Sequence, residues 1–303
     1  MQPAKFQILG IGEILWDMLP TGAQLGGAPA NFVCHAHALG AAARLVSRVG
    51  DDGNGREILQ RLAAQGQSTA LIGCDRARPT GTVSVTLSGE GQPHYTIHEG
   101  VAWDAIEVEA QATTAAAGAD AVCFGSLAQR APASRAAVQT LVAASAPDAL
   151  RVFDINLRQA FFSREVIESS LALANVLKLN DAELPVLAEM CALHGDVRAQ
   201  LAALAQHFAL RVIALTCGAH GSLLLADGAW SEHPGVPVKV RDTIGAGDAF
   251  TAALVLGLLA GWPLDALHHR ANEVAAFVCS ATGPTPALPE RFQISKTNPC
   301  QSK

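Results

Sequence analysis

The string Asp242-Thr243-Ile244-Gly245-Ala246-Gly247-Asp248 holds the parts that a phosphoryl-transfer site needs. Its two glycines let a turn approach a ligand with no Cβ in the way. The apolar pattern that follows, 246–260, is helical, so the string runs into a helix N-terminus. There, unpaired N–H groups and the positive end of the helix dipole suit a phosphate. Asp248 falls in the first turn, where a carboxylate can take the proton of a hydroxyl as the phosphoryl group arrives. Gly245, Ala246 and Gly247 are therefore expected to form an anion hole, with Asp248 as the base. A plain glycine turn with a dipole-favoured Asp would explain a shorter motif; the seven-residue string is more specific. Asn180 and Glu183, spaced i, i+3, face the same way at a helix start, a spacing that equally suits a capping box.

These residues need a frame. Apolar runs of strand length at 6–11, 45–49, 121–124, 152–154, 176–178 and 212–216 alternate with helical patterns at 29–39, 55–64, 134–144, 164–173, 182–190 and 197–207. Such alternation predicts an α/β fold: a Rossmann-like, mainly parallel sheet with helices on both faces. Two apolar helices, 246–260 and 264–281, close the chain, followed by a Pro-rich stop and a frayed tail, 295–303. One stretch departs from this rhythm. Segments 82–87 and 94–98 alternate polar and apolar residues around Gly89-Glu90-Gly91, which predicts a half-exposed hairpin, either an edge elaboration or a lid.

Composition narrows the function. Half of the 303 residues are hydrophobic and 16% are charged, enough apolar material for a large core. The charge balance, 21 basic against 27 acidic residues with no basic run, argues against a nucleic-acid or membrane partner. The longest apolar run, 252–260, is too short to span a bilayer, and the N-terminus lacks a signal-peptide core. Seven scattered cysteines without a Cys-x-x-Cys pair are expected to be buried, reduced thiols of a cytoplasmic protein. The histidines lack zinc spacing and are expected to be mostly exposed. Leu15 breaks the dinucleotide fingerprint after Gly10-x-Gly12, and there is no P-loop or nucleophile elbow.

The 242–248 string resembles the second signature of the ribokinase-like, phosphofructokinase-B-type carbohydrate kinases. Gly26-Gly27-Ala28-Pro29-Ala30-Asn31 resembles the first signature. Gly50-Asp51-Asp52-Gly53-Asn54-Gly55, Asp154-x-Asn156-x-Arg158, Lys178-x-Asn180-x-x-Glu183 and Thr216-x-Gly218-x-x-Gly221 follow in the family's order. The resemblance covers nearly the whole chain. It implies one ribokinase-like domain over 1–294 with a small β lid from about 13–24 and 80–102, which could pair two subunits. It implies ATP-dependent transfer to a sugar hydroxyl. Asp17, Gly26, Gly27, Asn31, Arg158 and Asp248 would bind the sugar. Lys178, Asn180, Thr216, Gly218, Gly221 and Asn272 would serve the nucleotide. Glu183 would organise magnesium through water, and the backbone around Asp242 and Ile244 would hold a potassium ion.

Several of these positions admit plainer explanations. Asp17 could be a solvated side chain before Pro20, Gly218-Ala219-His220-Gly221 a β-turn between strands, and Asn272 a helix-surface amide. Ala28-Pro29 and Ala102-Trp103-Asp104 are similar to bacterial fructokinases, so fructose is the expected substrate. The alternatives are 2-keto-3-deoxygluconate, for whose carboxylate Arg158 is the evident cation, and ribose. A catalytically silent sugar-binding regulator on the same fold is the alternative of another class. The chain departs from the family at Ile155, where Pro is usual, and at Thr282-Gly283-Pro284, in place of the usual Gly-Ala.

Overall fold

A computed structural model describes residues 5–19, 22–87 and 93–294. Strands β1 (Gln7–Ile11), β2 (Leu15–Leu19) and β3 (Gly22–Gly26) precede helix α1 (Ala28–Ala38), and β4 (Ala42–Gly50), α2 (Gly53–Ala64) and β5 (Ile72–Asp75) follow. Next come β6 (Gly81–Leu87), β7 (Pro93–Ile97), α3 (Ala110–Ala117), β8 (Ala121–Gly125), α4 (Pro132–Ala143), β9 (Leu150–Asp154), α5 (Arg164–Leu173) and β10 (Val176–Asn180). The last third holds α6 (Glu183–Met190), α7 (Val197–Phe208), β11 (Val212–Thr216), β12 (Ser222–Ala226), β13 (Ala229–His233), α8 (Ala246–Leu259) and α9 (Leu264–Cys279).

Nine strands form one sheet in the order β13-β12-β11-β10-β9-β8-β1-β4-β5. From β11 to β5 every pairing is parallel; β12 and β13 add an antiparallel edge. Parallel strands buried on both faces read as continuous apolar runs, because each face needs its own core. In β10, Val176 joins the core beneath α1, α2, α8 and α9, while Leu177 and Leu179 join the core beneath α3 to α7. Three helix starts, those of α2, α5 and α7, are fixed by side-chain caps: Asp52 accepts from Gly55 N at 2.8 Å, Ser163 from Val166 N at 3.2 Å and Asp196 from Ala199 N at 2.9 Å. Helix α8 is apolar all round because α1 and α9 enclose it, and 249–257 is buried throughout.

A second sheet, β3-β2-β6-β7, brings the expected hairpin together with the chain just after β1. Asp52 ties it to the large sheet: its carboxylate accepts from Thr80 N at 2.8 Å and Thr80 Oγ1 at 2.7 Å, immediately before β6.

Some expectations need correction. Helix α3 is not among the expected helices, because its Ala-rich run shows no apolar stripe. The β12–β13 hairpin was signalled by Asp227-Gly228, whose φ values of 46° and 85° suit a tight primed turn. His35 and His268 are buried rather than exposed. His35 Nε2 meets Pro284 O at 2.9 Å, and His268 lies between Ser222 Oγ and Ser231 Oγ. Cys34 and Cys123 are buried, but Cys74 is exposed and Cys191, Cys217 and Cys279 are half-buried; none of these is in a disulfide. The hairpin tip 89–91, Cys300 and the tail 295–303 lie outside the described residues. Among the described residues no helix is long and apolar enough to cross a membrane.

Candidate active site

Asp154, Asn180 and Thr216 are the last residues of β9, β10 and β11, and Glu13 follows β1. The candidate residues therefore line up along the carboxyl ends of adjacent parallel strands, where open α/β sheets bind ligands. The sheet order sets their sequence in space. Thr216 and Asn180 lie at one end and Asp154 and Lys178 toward the middle, while Asp17 stands on the second sheet, which follows β1 in the chain.

The start of α8 meets the middle of this line. Gly245 caps the helix at φ 79°, a left-handed conformation, and a Cβ there would collide with Pro284 O. Asp242 holds the turn: one carboxylate oxygen accepts from Ile244 N at 3.0 Å and the other from Gly283 N at 3.1 Å. Thr282-Gly283-Pro284, the departure from the family pattern, thus packs directly on the glycine turn.

Asp248 is half-buried, and Asn31 Nδ2 donates to its Oδ2 at 2.9 Å across 217 residues of chain. Burial, then the nearby charge of Asp154, pushes the Asp248 carboxyl up to about 7; the Asn31 bond, Lys178 and Arg158 oppose this. Beneath the turn, Lys178 is buried with Nζ 3.3 Å from Asp154 Oδ1. That ammonium lies 3.1 Å from where a Cβ on Gly247 would stand. Burial disfavours its charge, but Asp154, Glu183 and Asp248 outweigh this and raise its pKa. Thr251 Oγ1 completes the group, 3.1 Å from Asp154 Oδ2 and 2.9 Å from Gly247 O; its single proton serves one at a time. Asp154 is expected from the sequence only as a motif residue without a role, and Thr251 not at all. A charged Lys178 inside the apolar run Val176-Leu177-Lys178-Leu179 was the available signal that a buried partner exists.

On the other side, Asp17 of β2 is half-buried, and burial raises its carboxyl to about 6 against the opposing pull of Arg158. A Cβ on Gly26 would collide with Asp17 Oδ2, so that glycine makes room for the carboxylate. Gly27, at φ 105°, starts α1; its carbonyl accepts from Asn31 N at 2.8 Å, and its own Cβ would strike Glu13 O. The two glycines thus close strand on strand, beyond the ligand approach expected of them. Arg158 is exposed, its guanidinium bonds only Leu157 O, at 3.0 Å, among the described residues, and its charge is felt at Asp17, Glu13 and Asp248.

The remaining candidates are held by local bonds. Asn180 Oδ1 caps α6 through Ala182 N and Glu183 N, both at 2.9 Å. Glu183 Oε2 accepts from Asn180 N at 2.8 Å and Oε1 from Leu157 N at 2.9 Å. The reciprocal capping spacing is therefore real, and it also fastens the Arg158 loop. Burial, then Asp154, raises the Glu183 carboxyl. Thr216 to Gly221 is the turn between β11 and β12, with Cys217 N donating to Gly221 O at 2.8 Å. Asn272 is buried, not a surface amide, and bonds Ser222 Oγ and His268 O. Among the described residues, no three His, Cys, Asp or Glu side chains form a metal-binding group.

The pattern of the pfkB family carbohydrate kinases matches residues 21–291 of the chain. A fructokinase of Klebsiella pneumoniae is 30% identical over 304 residues, covering 95% of this chain and 97% of that protein. An uncharacterized sugar kinase of Pyrococcus horikoshii in complex with ATP superposes with a TM-score of 0.78 at 27% identity over 95% of both chains. A fructokinase double mutant of Vibrio cholerae, solved with fructose, ADP and potassium ion, gives a TM-score of 0.77 at 22% identity over 95% of this chain and 97% of the other, a likeness of fold. A mostly parallel sheet, the two glycine motifs meeting through Asn31 and Asp248, and a match over most of the length lead to one conclusion: the chain belongs to the pfkB family of carbohydrate kinases.

Proposed function

We propose that this sugar kinase transfers the γ-phosphate of ATP to the terminal hydroxyl of fructose or a close ketose, with Asp248 as the base. The observation that carries this reading is the Asp248 carboxylate, half-buried, raised to about 7 and aimed by Asn31 at the start of α8. A base poised near neutral pH balances its ionised fraction against its proton affinity. Asp248 takes the hydroxyl proton as the sugar oxygen bonds to the γ-phosphorus, the bond to the bridging oxygen breaks, and ADP leaves. The N–H groups of Gly245 and Gly247 and the Lys178 ammonium face the charge that develops on the transferring group, whereas Ala246 N already donates to Thr243 O at 3.3 Å within the turn. Thr216, Gly218, Gly221, Asn180 and Asn272 lie toward the nucleotide end.

Magnesium would ride on the phosphates with its waters, as it commonly does, and Glu183 and Asn180 would orient those waters. Glu183 suits that indirect role because both of its oxygens already accept a backbone N–H. No amide among the described residues donates to the carbonyls of Asp242 and Ile244, which suits them to a monovalent cation such as potassium. The second sheet is the lid, and Asp17 and Arg158 border the sugar beside it. Its edge strands β3 and β7 and the exposed Met18 (43%) offer a surface for a second subunit.

Fructose is favoured by the likeness to the Klebsiella fructokinase over almost the full length. A second reading, 2-keto-3-deoxygluconate, is favoured by one observation: Arg158 is exposed near the sugar end and makes no ion pair among the described residues. An ADP-release assay comparing kcat/KM for fructose, ribose, 2-keto-3-deoxygluconate and adenosine separates the two. Fructose should lead. A clear lead for 2-keto-3-deoxygluconate would move Arg158 to carboxylate binding, and no turnover with any sugar would leave a silent sugar-binding regulator.

A further inference from the structure

The best-buried arginine–carboxylate pair among the described residues stands apart from the phosphate machinery, at the root of the second sheet. Arg130 Nε and Nη2 grip the Asp104 carboxylate at 2.8 and 3.0 Å, with the two side chains only 5% and 9% exposed. Nη2 also donates to His98 O at 2.6 Å, one residue past the end of β7. The guanidinium lies over two rings, 4.0 Å from the centre of Trp103 and 4.7 Å from that of Phe161. Trp103 in turn abuts Gly81, the first residue of β6, where a Cβ would collide with the indole nitrogen. Phe161 belongs to the turn that carries Arg158, its N–H donating to Arg158 O at 3.0 Å. One guanidinium therefore touches the exit of the hairpin, the ring beneath its entrance and the turn that presents Arg158.

Burying such a pair is a poor route to stability, because desolvation offsets the attraction. What a planar fork held between two rings does supply is fixed relative placement of everything it touches. We propose that Arg130 is the positioning residue of the acceptor site, holding the Arg158 turn in register with the root of the lid. This rests on the reading of Asp17 and Arg158 as the sugar side of the site. Arg130 itself touches no reacting atom in this scheme, so its loss must appear in sugar recognition and leave nucleotide recognition intact.

The test compares Arg130→Gln and Arg130→Lys with Arg48→Gln. Arg48 makes ion pairs to Asp75 at 3.2 Å and Glu107 at 2.6 Å, so its loss controls for the general cost of breaking a partly buried pair. Both Arg130 variants should raise the sugar KM by roughly tenfold or more, since displacing a positioning group is costly. The ATP KM should stay within about twofold, the pattern of a lost sugar-specific interaction. Lys keeps the charge but not the fork, so it should not rescue. Arg48→Gln should lower Tm without moving the sugar KM. Hydrogen exchange of 158–161 and of 97–99 should quicken together in both Arg130 variants. A sugar KM unchanged in Arg130→Gln, an ATP KM that rises equally, or full rescue by Lys overturns the proposal. Should Arg130→Gln fail to fold, Phe161→Leu, which removes only one stacked ring, must give the same KM split on a smaller scale. If the parent phosphorylates no sugar, the acceptor-site reading fails; the coupled exchange of the two segments then decides the clamp by itself.

Discussion

The start of α8 and the second sheet face the same site but are built in opposite ways. Around Asp248 the parts are locked before any ligand arrives. Asn31 fixes the carboxylate, Lys178 sits on Asp154, and Asp242 pins the turn from two sides. The proposed sugar side rests on Asp17, half-buried, and Arg158, exposed, with its guanidinium bonded among the described residues only to its neighbour's carbonyl. A preorganised centre stabilises developing charge without reorganisation during the reaction. A sugar side with free polar groups leaves its hydrogen bonds for the substrate to complete. In this account chemistry belongs to the locked region and specificity to the open one, so changes in the first should strike kcat and changes in the second KM.

The largest effect should come from Asp248→Asn, which keeps the shape and the Asn31 contact and removes the base. Turnover should fall by about 10²–10⁴, the usual worth of a general base, with sugar and ATP binding retained by calorimetry. Gly247→Val should come next. A β-branched side chain would stand against the Lys178 ammonium and the phosphate, and kcat should fall by roughly 10²–10³, comparable to losing an oxyanion donor. Sugar affinity measured in the same variant should change little; a large loss there would erase the contrast between the regions.

Gly26→Ala tests the open side. Its new methyl must displace the Asp17 carboxylate, so the sugar KM should rise by about tenfold while kcat moves less. Shortening the hairpin should raise ATP hydrolysis without sugar relative to sugar phosphorylation, and sugar should slow hydrogen exchange of β6 and β7. Unchanged exchange and unchanged coupling would reduce the second sheet to decoration.

The smallest expected effect is on stability. Burial raises the folded Asp248 pKa to about 7 from the ordinary 3.8, so the folded state binds that proton more tightly than the unfolded chain. The stabilisation is complete below the unfolded value and is lost as pH rises through about 7. Asp248→Asn should therefore match or exceed the parent Tm at pH 8 and lose that advantage in acid.

How much of this was legible in the sequence follows the same division. The glycine string, the strand–helix alternation and the first signature are local, and local pattern places them. The Asn31–Asp248 bond joins residues 217 apart and exists only because α1 packs against α8. Asp154 and Lys178 meet because β9 and β10 are neighbours in register, with Lys178 opposite Asp154. Gly26 reads as ligand approach until Asp17 is seen occupying the space. Arg130 carries no motif at all; its role comes from three segments that touch it.

If Asp248 is the base, its ionisation must appear in the pH dependence of kcat/KM for the sugar. Ionised Asp248 is the active form, so activity should be lost as pH falls through about 7, the value to which burial raises this carboxyl. Asp17, raised to about 6, titrates in the same range, so variants of each carboxylate assign the limb. Asp17→Asn should weaken sugar binding but keep the limb near 7, whereas Asp248→Asn should leave a residual rate without it. A parent profile flat from pH 5 to 8, or the same limb persisting in Asp248→Asn, would contradict the account.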